Sequence, residues 1–312
     1  MDGTSVNYTH LCPLARGFAG MRLDAALAAL FPHRSRASWQ KCIVEGGVRI
    51  GGEECRRAAC KLRGGEEMAV CIGEDNAAAD DDCAPEDIAL DIVYEDDDIA
   101  VINKPPGLVV HPGRGNKAGT MQAALLFRRP AAALLIRAGI VHRLDKDTSG
   151  LLVAANNRRA QRRLGEQFQR RTAGREYLAL VFGEPPQTGV IDRPLGRSRR
   201  DHTKMTVTDG GRAAITRFAV ERRWRGLALL RCFLQTGRTH QIRAHLEYVG
   251  YPLAGDAAYR KRARPLPFAV PRQMLHAETL RLVHPGNGET RKWQQPPPPD
   301  MLDVLSQLDK CQ

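Results

Sequence analysis

Residues 139–155 read G-I-V-H-R-L-D-K-D-T-S-G-L-L-V-A-A, and this stretch decides how the rest of the chain is interpreted. Residues 151–155 form an apolar run after the turn-forming Thr148-Ser149-Gly150. An apolar run of this length next to a turn predicts a buried strand. Loops beside a core strand are the usual position of catalytic groups. The candidates on this loop are His142, Arg143, Asp145, Lys146 and Asp147.

The surrounding pattern predicts an α+β fold with a mixed, largely antiparallel sheet. Further strands are predicted at 92–94, 99–102, 178–182, 214–220, 227–234 and 279–283. Helices are predicted at 121–127, at 160–168 with an end at Gly174, after Thr239, and at 301–308. Residues 193–212 are expected to be rich in loops. Because the strands mostly follow one another through hairpins, the order is typical of α+β proteins rather than of doubly wound sheets.

The N-terminal part of the chain has a different pattern and predicts a separate small domain. Leu23, Ala26, Leu27 and Leu30 are spaced as on one helical face, and a second helix is predicted through Trp39 and Ile43. Short strands at 48–50 and 67–72 follow. We therefore expect four segments, which are a tail at 1–17, a small domain at 18–72, an acidic linker at 73–87 and a large domain at 88–312.

The small domain contains three short motifs in order, R-L-D at 22–24, S-R-A-S at 35–38 and V-R-I-G-G at 48–52. In this order and spacing they resemble the alpha-L RNA-binding module of ribosomal and RNA-modifying proteins. It implies that this domain binds RNA. The basic residues expected to contact RNA are Arg34, Arg36, Lys41, Arg49 and Arg57.

Charge is distributed unevenly over the 312 residues and supports a polyanionic partner. The formal net charge is +12, yet residues 73–98 hold twelve Asp or Glu and no Lys or Arg. The rest of the chain therefore carries 47 basic residues against 23 acidic ones. Such an excess favours a nucleic acid as partner. A basic surface without a partner is the alternative.

Several other classes of protein are disfavoured by the sequence. No apolar run approaches the about eighteen residues of a membrane helix, and the N-terminus lacks the apolar core of a secretion signal. The eight cysteines contain no C-x-x-C pair, so we expect no metal site and reduced thiols in the cytoplasm. Asp145 to Gly150 matches the start of a calcium loop, but Asn156 stands where such a loop needs Glu.

Asp145 remains the strongest candidate for a reacting group on the loop. A carboxylate surrounded by cations stays ionised and can act as a nucleophile or a base. An ion-paired aspartate with a purely structural role is the alternative, and the residues alone leave the two open.

Four motifs of the chain are informative when they are taken together. They are H-R-L-D-K-D-T-S-G-L-L-V at 142–153, D-I-V-Y-E-D-D-D-I-A-V-I-N-K-P-P-G-L-V-V-H-P at 91–112, R-E-Y at 175–177 and L-Q-T-G-R-T-H-Q-I-R-A-H-L at 234–246. Together they resemble the RluA-type pseudouridine synthases. The resemblance implies the pseudouridine synthase fold and an isomerase that converts uridine in RNA. It also implies that no cofactor is needed, because that reaction neither gains nor loses an atom.

The resemblance assigns expected roles to individual residues. Asp145 matches the catalytic aspartate, and Tyr177 matches the tyrosine that stacks on the target base. Arg238 matches the basic residue that pairs with the catalytic aspartate, with Arg243 as the alternative. Arg143 matches a residue that fills the gap left by a flipped uridine.

The substrate expected from these observations is large-subunit ribosomal RNA, acted on by a cytoplasmic monomer with no membrane association. Two alternatives stay open. One is a synthase of the same type that acts on transfer RNA. The other is a non-catalytic RNA-binding factor in ribosome assembly.

Overall fold

The computed structural model describes residues 10–13, 16–31, 36–70, 83–113, 116–260 and 266–311. The chain divides into two compact units. One comprises the residues up to Cys83 together with 133–137, and the other comprises the rest. Of the predicted linker at 73–87, residues 73–82 lie outside the described residues, as does Arg34.

The first unit is a four-stranded antiparallel sheet packed against two helices. The predicted helix at Leu23 is present, and its apolar face packs with Trp39, Ile43 and Met68 in a small core. His10–Pro13, which we predicted to be part of a tail, instead pairs with the last strand of this sheet. The elements are β1 (His10–Pro13), α1 (Leu23–Leu30), α2 (Arg36–Val44), β2 (Val48–Ile50), β3 (Glu53–Glu54) and β4 (Glu67–Val70), with the strands in the order β1-β4-β2-β3.

Asp24, in the first turn of α1, is fully buried and accepts hydrogen bonds from three side chains. Arg22 and Arg36 each donate two bonds of 3.0–3.1 Å, and Gln40 donates one of 2.6 Å. Burial alone would raise the pKa of Asp24, but these bonds hold it well below its usual range. Arg36, which we predicted to contact RNA, therefore has a structural partner.

We expect the Asp24 network to make the first unit sensitive to acid. A folded-state pKa below the unfolded value of about 3.9 adds stability above that pH, and this stability is lost as the pH falls through the folded pKa. The melting temperature of wild type should therefore exceed that of Asp24→Asn by a margin that shrinks below about pH 4. Glu45→Gln, an exposed control, should show no such margin. A margin for Asp24→Asn that is constant with pH would contradict this account.

The second unit is built on one large mixed sheet, as the sequence predicted. The strands of this unit are β5 (Asp91–Glu95), β6 (Ile99–Lys104), β7 (Ser149–Ala155), β8 (Gly174–Phe182), β9 (Thr188–Asp192), β10 (Leu195–Arg197), β11 (Met205–Val207), β12 (Ile215–Trp224), β13 (Leu227–Leu234), β14 (Leu275–Val283) and β15 (Thr290–Gln294). Nine of these described strands form the large sheet in the order β5-β6-β7-β14-β8-β13-β12-β9, with β15 paired to β14, while β10 and β11 pair separately. All pairs of the large sheet are antiparallel except β7 with β14.

Helices cover both faces of this sheet. Alternate residues of a strand point to opposite faces, so Tyr177 and Ala179 of β8 pack in the core that includes Ile242, whereas Leu178 and Leu180 pack in another core. The first face is covered by α3 (Met121–Arg128) and α5 (Gln241–Tyr248). The second face is covered by α4 (Arg158–Arg170) and α6 (Pro299–Lys310).

The ends of two helices show where sequence signals were right and wrong. Thr120 caps α3, as its position suggests, because its hydroxyl accepts a hydrogen bond from the Ala123 N–H. The prediction that Gly174 ends α4 is wrong. Arg171 ends it in the left-handed conformation, with φ of 63°, and Gly174 is the first residue of β8. The sequence also did not predict β9, β15 or the β10–β11 hairpin, which lies within the segment expected to be loops.

The central strand β7 is buried along its whole length, as the 151–155 run predicts. It approaches β14 so closely at Gly150 that a Cβ there would lie 2.2 Å from the Ala277 carbonyl oxygen. Gly150 also has a φ of +107°, which other residues rarely adopt. The glycine therefore allows the parallel β7–β14 pairing directly after the 142–148 loop.

We expect Gly150→Ala to destabilise the protein more than Gly226→Ala does. Gly226 also has positive φ, at +75°, but nothing lies within 4 Å of its virtual Cβ. Its substitution should cost about 1 kcal/mol for the backbone conformation alone. Gly150→Ala should add about 1–3 kcal/mol of steric cost, measured by denaturant unfolding. Equal losses of unfolding free energy for the two variants would show that the close approach of β7 to β14 at Gly150 does not affect stability.

No helix among the described residues is long and apolar enough to cross a membrane. In the same part of the chain, no three His, Cys, Asp or Glu side chains are grouped as metal ligands.

Candidate active site

A cavity of 480 Å³ in the second unit contains Asp145, and most of its wall comes from three segments that are far apart in the sequence, with Arg212 and Leu275 completing it. The three segments are the 141–148 loop, the neighbouring ends of α4 and β8, and the 234–243 segment that leads into α5. Asp145 is the single carboxylate among the described residues that line the cavity. The described wall of the cavity therefore holds several arginines around a single carboxylate, Asp145.

The loop that carries Asp145 is held in place by hydrogen bonds to its backbone. Lys104 is completely buried, and its ammonium group donates to the carbonyls of Lys146, Pro105 and Leu108 at 2.7–2.9 Å. Burial lowers the pKa of Lys104 to about 7. A neutral amine could donate to only two of these carbonyls, so we infer the charged form. On the other side, Arg272 donates to the Asp147 carbonyl at 2.9 Å.

Arg243 is the cation that pairs with Asp145. Its Nη1 donates to Asp145 Oδ2 at 3.0 Å, while Nε and Nη2 form a bidentate pair with Asp256 at 2.7 and 3.0 Å. The guanidinium also lies over the ring of Tyr259, 5.0 Å from its centre. Burial alone would lower the pKa of Arg243, but Asp256 and Asp145 raise it. Arg243 is therefore permanently charged and held in one orientation toward Asp145.

The prediction that Arg238 pairs with Asp145 is wrong, and the alternative that we left open is the one observed. Arg238 Nε donates instead to the Ala213 carbonyl at 3.3 Å. Arg238 precedes α5, whereas Arg243 lies on the buried face of that helix, where Asp256 orients it. The sequence places both arginines in one motif, and only the fold distinguishes them.

Tyr177 lines the same cavity, as its predicted role requires. It lies on β8, its side chain is buried, and burial raises the pKa of its phenol. The tyrosine is therefore neutral at physiological pH and offers the cavity an uncharged aromatic ring. Leu275 and Ile242 supply further apolar wall.

Arg143 and His142, the first polar residues of the loop, also line the cavity but differ in environment. Arg143 is exposed. His142 stacks on Phe168 with ring centres 4.5 Å apart, and its Nε2 accepts a hydrogen bond from the Val153 N–H. Burial lowers the pKa of His142 to about 3, so the ring is neutral. His142 therefore fixes the loop to β7 and is not placed to carry charge.

His240 is a site residue that the sequence analysis missed. Its Nε2 lies 3.9 Å from Asp145 Oδ1, and its Nδ1 lies 3.1 Å from the Tyr259 hydroxyl. Its φ of 51° is in the left-handed region, which side chains other than glycine rarely adopt and which is often found at functional sites. Burial lowers the pKa of His240. The only sequence signal was its position between Arg238 and Arg243.

Lys41, Arg49 and Arg57, which we predicted to contact RNA, lie in the first unit. They are exposed on α2, on β2 and after β3. Their contact with RNA stays a prediction.

Comparisons with known proteins identify the class. A sequence model described as RNA pseudouridylate synthase matches residues 98–248, and one described as S4 domain matches residues 21–68. Curated relatives share 43–45% identity with over nine-tenths of the chain. The chain therefore belongs to the RNA pseudouridylate synthase family, and it is an isomerase. The resemblances to RluA-type synthases and to an alpha-L RNA-binding module are confirmed.

Its curated relatives include several proteins named ribosomal large subunit pseudouridine synthase D. The one from Pasteurella multocida is 43% identical, over 93% of this chain and 91% of its own. Those from Escherichia coli K12 and Nitrosomonas europaea are 44% and 45% identical, over 92% and 93% of this chain and 90% and 85% of their own.

Two solved human structures are similar in fold to this chain. They are RNA pseudouridylate synthase domain containing 4 and 1, with TM-scores of 0.56 and 0.54 and identities of 26% and 27%. They cover 70% and 72% of this chain and 93% and 96% of their own.

Proposed function

We propose that this synthase converts uridines of large-subunit ribosomal RNA to pseudouridine, with Asp145 as the reacting group. The observation that carries the proposal is a single carboxylate in a cationic cavity, bonded to the permanently charged Arg243. The names of the relatives support the large ribosomal subunit as the source of the RNA. We propose that the protein acts as a monomer in the cytoplasm.

The chemistry asks for an ionised carboxylate next to the sugar. The bond between uracil N1 and the ribose breaks, the base turns, and a bond forms from its C5 to the same sugar carbon. The C5 proton leaves and N1 gains one, so the atoms balance without a co-reactant. Asp145 either bonds to the sugar or removes a sugar proton. Both routes begin with the carboxylate, and the 3.0 Å hydrogen bond from Arg243 holds it in place.

Tyr177 and Arg143 suit the handling of a flipped base. A uridine must leave its stack to reach Asp145, and extrusion costs a few kcal/mol, least in an unpaired loop. The Tyr177 ring offers a face for the extruded uracil, because stacking on aromatic side chains is common in RNA recognition. Arg143 is exposed and borders the cavity, so it can fill the gap that the flipped uridine leaves in the RNA stack.

We expect Arg57→Glu to weaken RNA binding without changing the chemistry. Arg57 is exposed in the S4 domain, and loss of one phosphate contact should reduce the slope of log affinity against log salt by about one. Turnover of a minimal RNA that does not reach this domain should be unchanged. Lys310→Glu, an equal charge change at the end of α6, serves as the control. Equal losses of affinity for both variants would contradict a specific role of the S4 domain in RNA binding.

Mapping pseudouridines in RNA from cells with and without the gene tests the proposed substrate. Sites that disappear from large-subunit ribosomal RNA support it. Sites that disappear from transfer RNA alone would identify a transfer RNA synthase of the same type.

A further inference from the structure

Among the described residues, five arginines line the active-site cavity without an acidic partner, namely Arg143, Arg175 and three others that we treat as one group. Arg171, Arg212 and Arg238 come from the end of α4, from the segment after β11 and from the turn before α5. None of them forms an ion pair with a carboxylate among the described residues. The one acid of the cavity wall, Asp145, is already bonded to Arg243. We call these three arginines the rim cluster.

The backbone of each member is fixed, so the cluster is a built feature. Arg171 is in the left-handed conformation, and its N–H caps the end of α4. Both the N–H and the carbonyl of Arg212 bond to Leu195, at 2.8 and 2.9 Å. The Arg238 N–H donates to Gln241 Oε1 at 3.0 Å, and its side chain bonds to Ala213, next to Arg212.

The three side chains line one cavity, and the charges of Arg212 and Arg171 lie close enough to Arg238 to act on it. The pKa of Arg238 is lowered by burial and then by the charges of Arg212 and Arg171. Like charges held together in this way are destabilising unless an anion joins them. Guanidinium groups are suited to the oxygens of a phosphate, to which they can donate paired hydrogen bonds.

We propose that the rim cluster binds one backbone phosphate of the RNA, next to the uridine that enters the cavity. This inference rests on the proposed function, because a flipped nucleotide carries its own phosphates to the mouth of the site. The rim cluster would then position the ribose relative to Asp145, and Arg238 would serve the substrate instead of the carboxylate. Binding energy at a non-reacting phosphate is a common means of orienting a substrate.

The test combines arginine variants with RNA that is neutral at one phosphate. The probe is a synthetic stem-loop of large-subunit ribosomal RNA sequence with a uridine in its loop, made with single methylphosphonate linkages at successive positions. Arg171→Gln, Arg212→Gln and Arg238→Gln are compared with wild type and with Arg225→Gln, an exposed arginine that does not line the cavity. Binding affinity and pseudouridine formation are measured on the same samples.

We expect each rim variant to bind the native stem-loop about tenfold more weakly, the size of one charge-assisted hydrogen bond. This loss should vanish with the RNA that is neutral at one particular phosphate beside the loop uridine, and Arg225→Gln should bind as wild type. Losses that persist with every neutral linkage, or no loss with native RNA, would overturn the inference.

The readouts separate this inference from the proposed function. A phosphate-specific loss of binding without pseudouridine formation would sustain the rim cluster and count against the substrate. Pseudouridine formation without a phosphate-specific loss of binding would support the proposed substrate and overturn the role of the rim cluster. If Arg238→Gln has a lowered melting temperature, the variants of the exposed Arg171 and Arg212 still test whether the rim cluster binds a phosphate.

Discussion

Asp145→Asn should leave a folded protein that binds RNA and forms no pseudouridine. Asparagine has nearly the shape of aspartate, and Arg243 keeps its bidentate partner Asp256, so the cavity should keep its geometry. The amide can neither attack the sugar nor accept its proton. We expect the rate to fall by at least about a thousandfold, since the reacting group itself is lost. Release of tritium from uridine labelled at C5 measures the reaction, because that hydrogen leaves the base.

Asp147→Asn is the matched control for this variant. Asp147 lies two residues further on the same loop, but it is not among the residues that line the cavity. Its substitution removes the same charge and should leave the rate near that of wild type. Substantial activity in Asp145→Asn, or equal losses in both variants, would contradict the assignment.

Arg243→Ala should damage both stability and activity. It leaves Asp256 completely buried without its cation and also strips Asp145 of its partner. Removing one member of a buried ion pair costs about 3–5 kcal/mol, because the remaining charge is left in a poorly solvated place. We expect a loss of this size in denaturant unfolding and little activity in the protein that remains folded. Arg243→Lys restores the charge but cannot form both bonds of the bidentate pair, so it should recover only part of the stability.

Arg238→Ala is the comparison that separates the two arginines of the motif. Among the described residues, its side chain bonds to a backbone carbonyl and to no other group, so the variant should lose less than about 1 kcal/mol of stability. At saturating RNA its turnover should fall less than that of Arg243→Ala, because the reacting carboxylate keeps its partner. If Arg238→Ala were as unstable and inactive as Arg243→Ala, the observed pairing with Asp145 would be in doubt.

The sequence predicted much of the fold because local patterns were consistent with the final packing. The apolar run at 151–155 is β7, and the spacing of Leu23, Ala26 and Leu27 is the buried face of α1. Thr120 is an N-cap. The position of Asp145 on a loop before a core strand also follows from local signals.

Other features depend on contacts between distant parts of the chain and have no local signal. The parallel pairing of β7 with β14 joins Ser149 to His276. Arg243 pairs with Asp145 because Asp256 orients it, and no spacing rule links these three residues. His240 enters the site through a left-handed backbone conformation that its sequence does not require. Periodicity reports which face of an element is buried, but not which charged groups meet there.

The central claim is that Asp145 in this cavity forms pseudouridine in large-subunit ribosomal RNA. Pseudouridine mapping tests it most directly, in cells that lack the gene and carry either the wild-type gene or the Asp145→Asn variant. We predict that specific pseudouridines of large-subunit ribosomal RNA are absent without the gene, return with the wild type and stay absent with Asp145→Asn. Their return with Asp145→Asn, or their presence without the gene, would contradict the account.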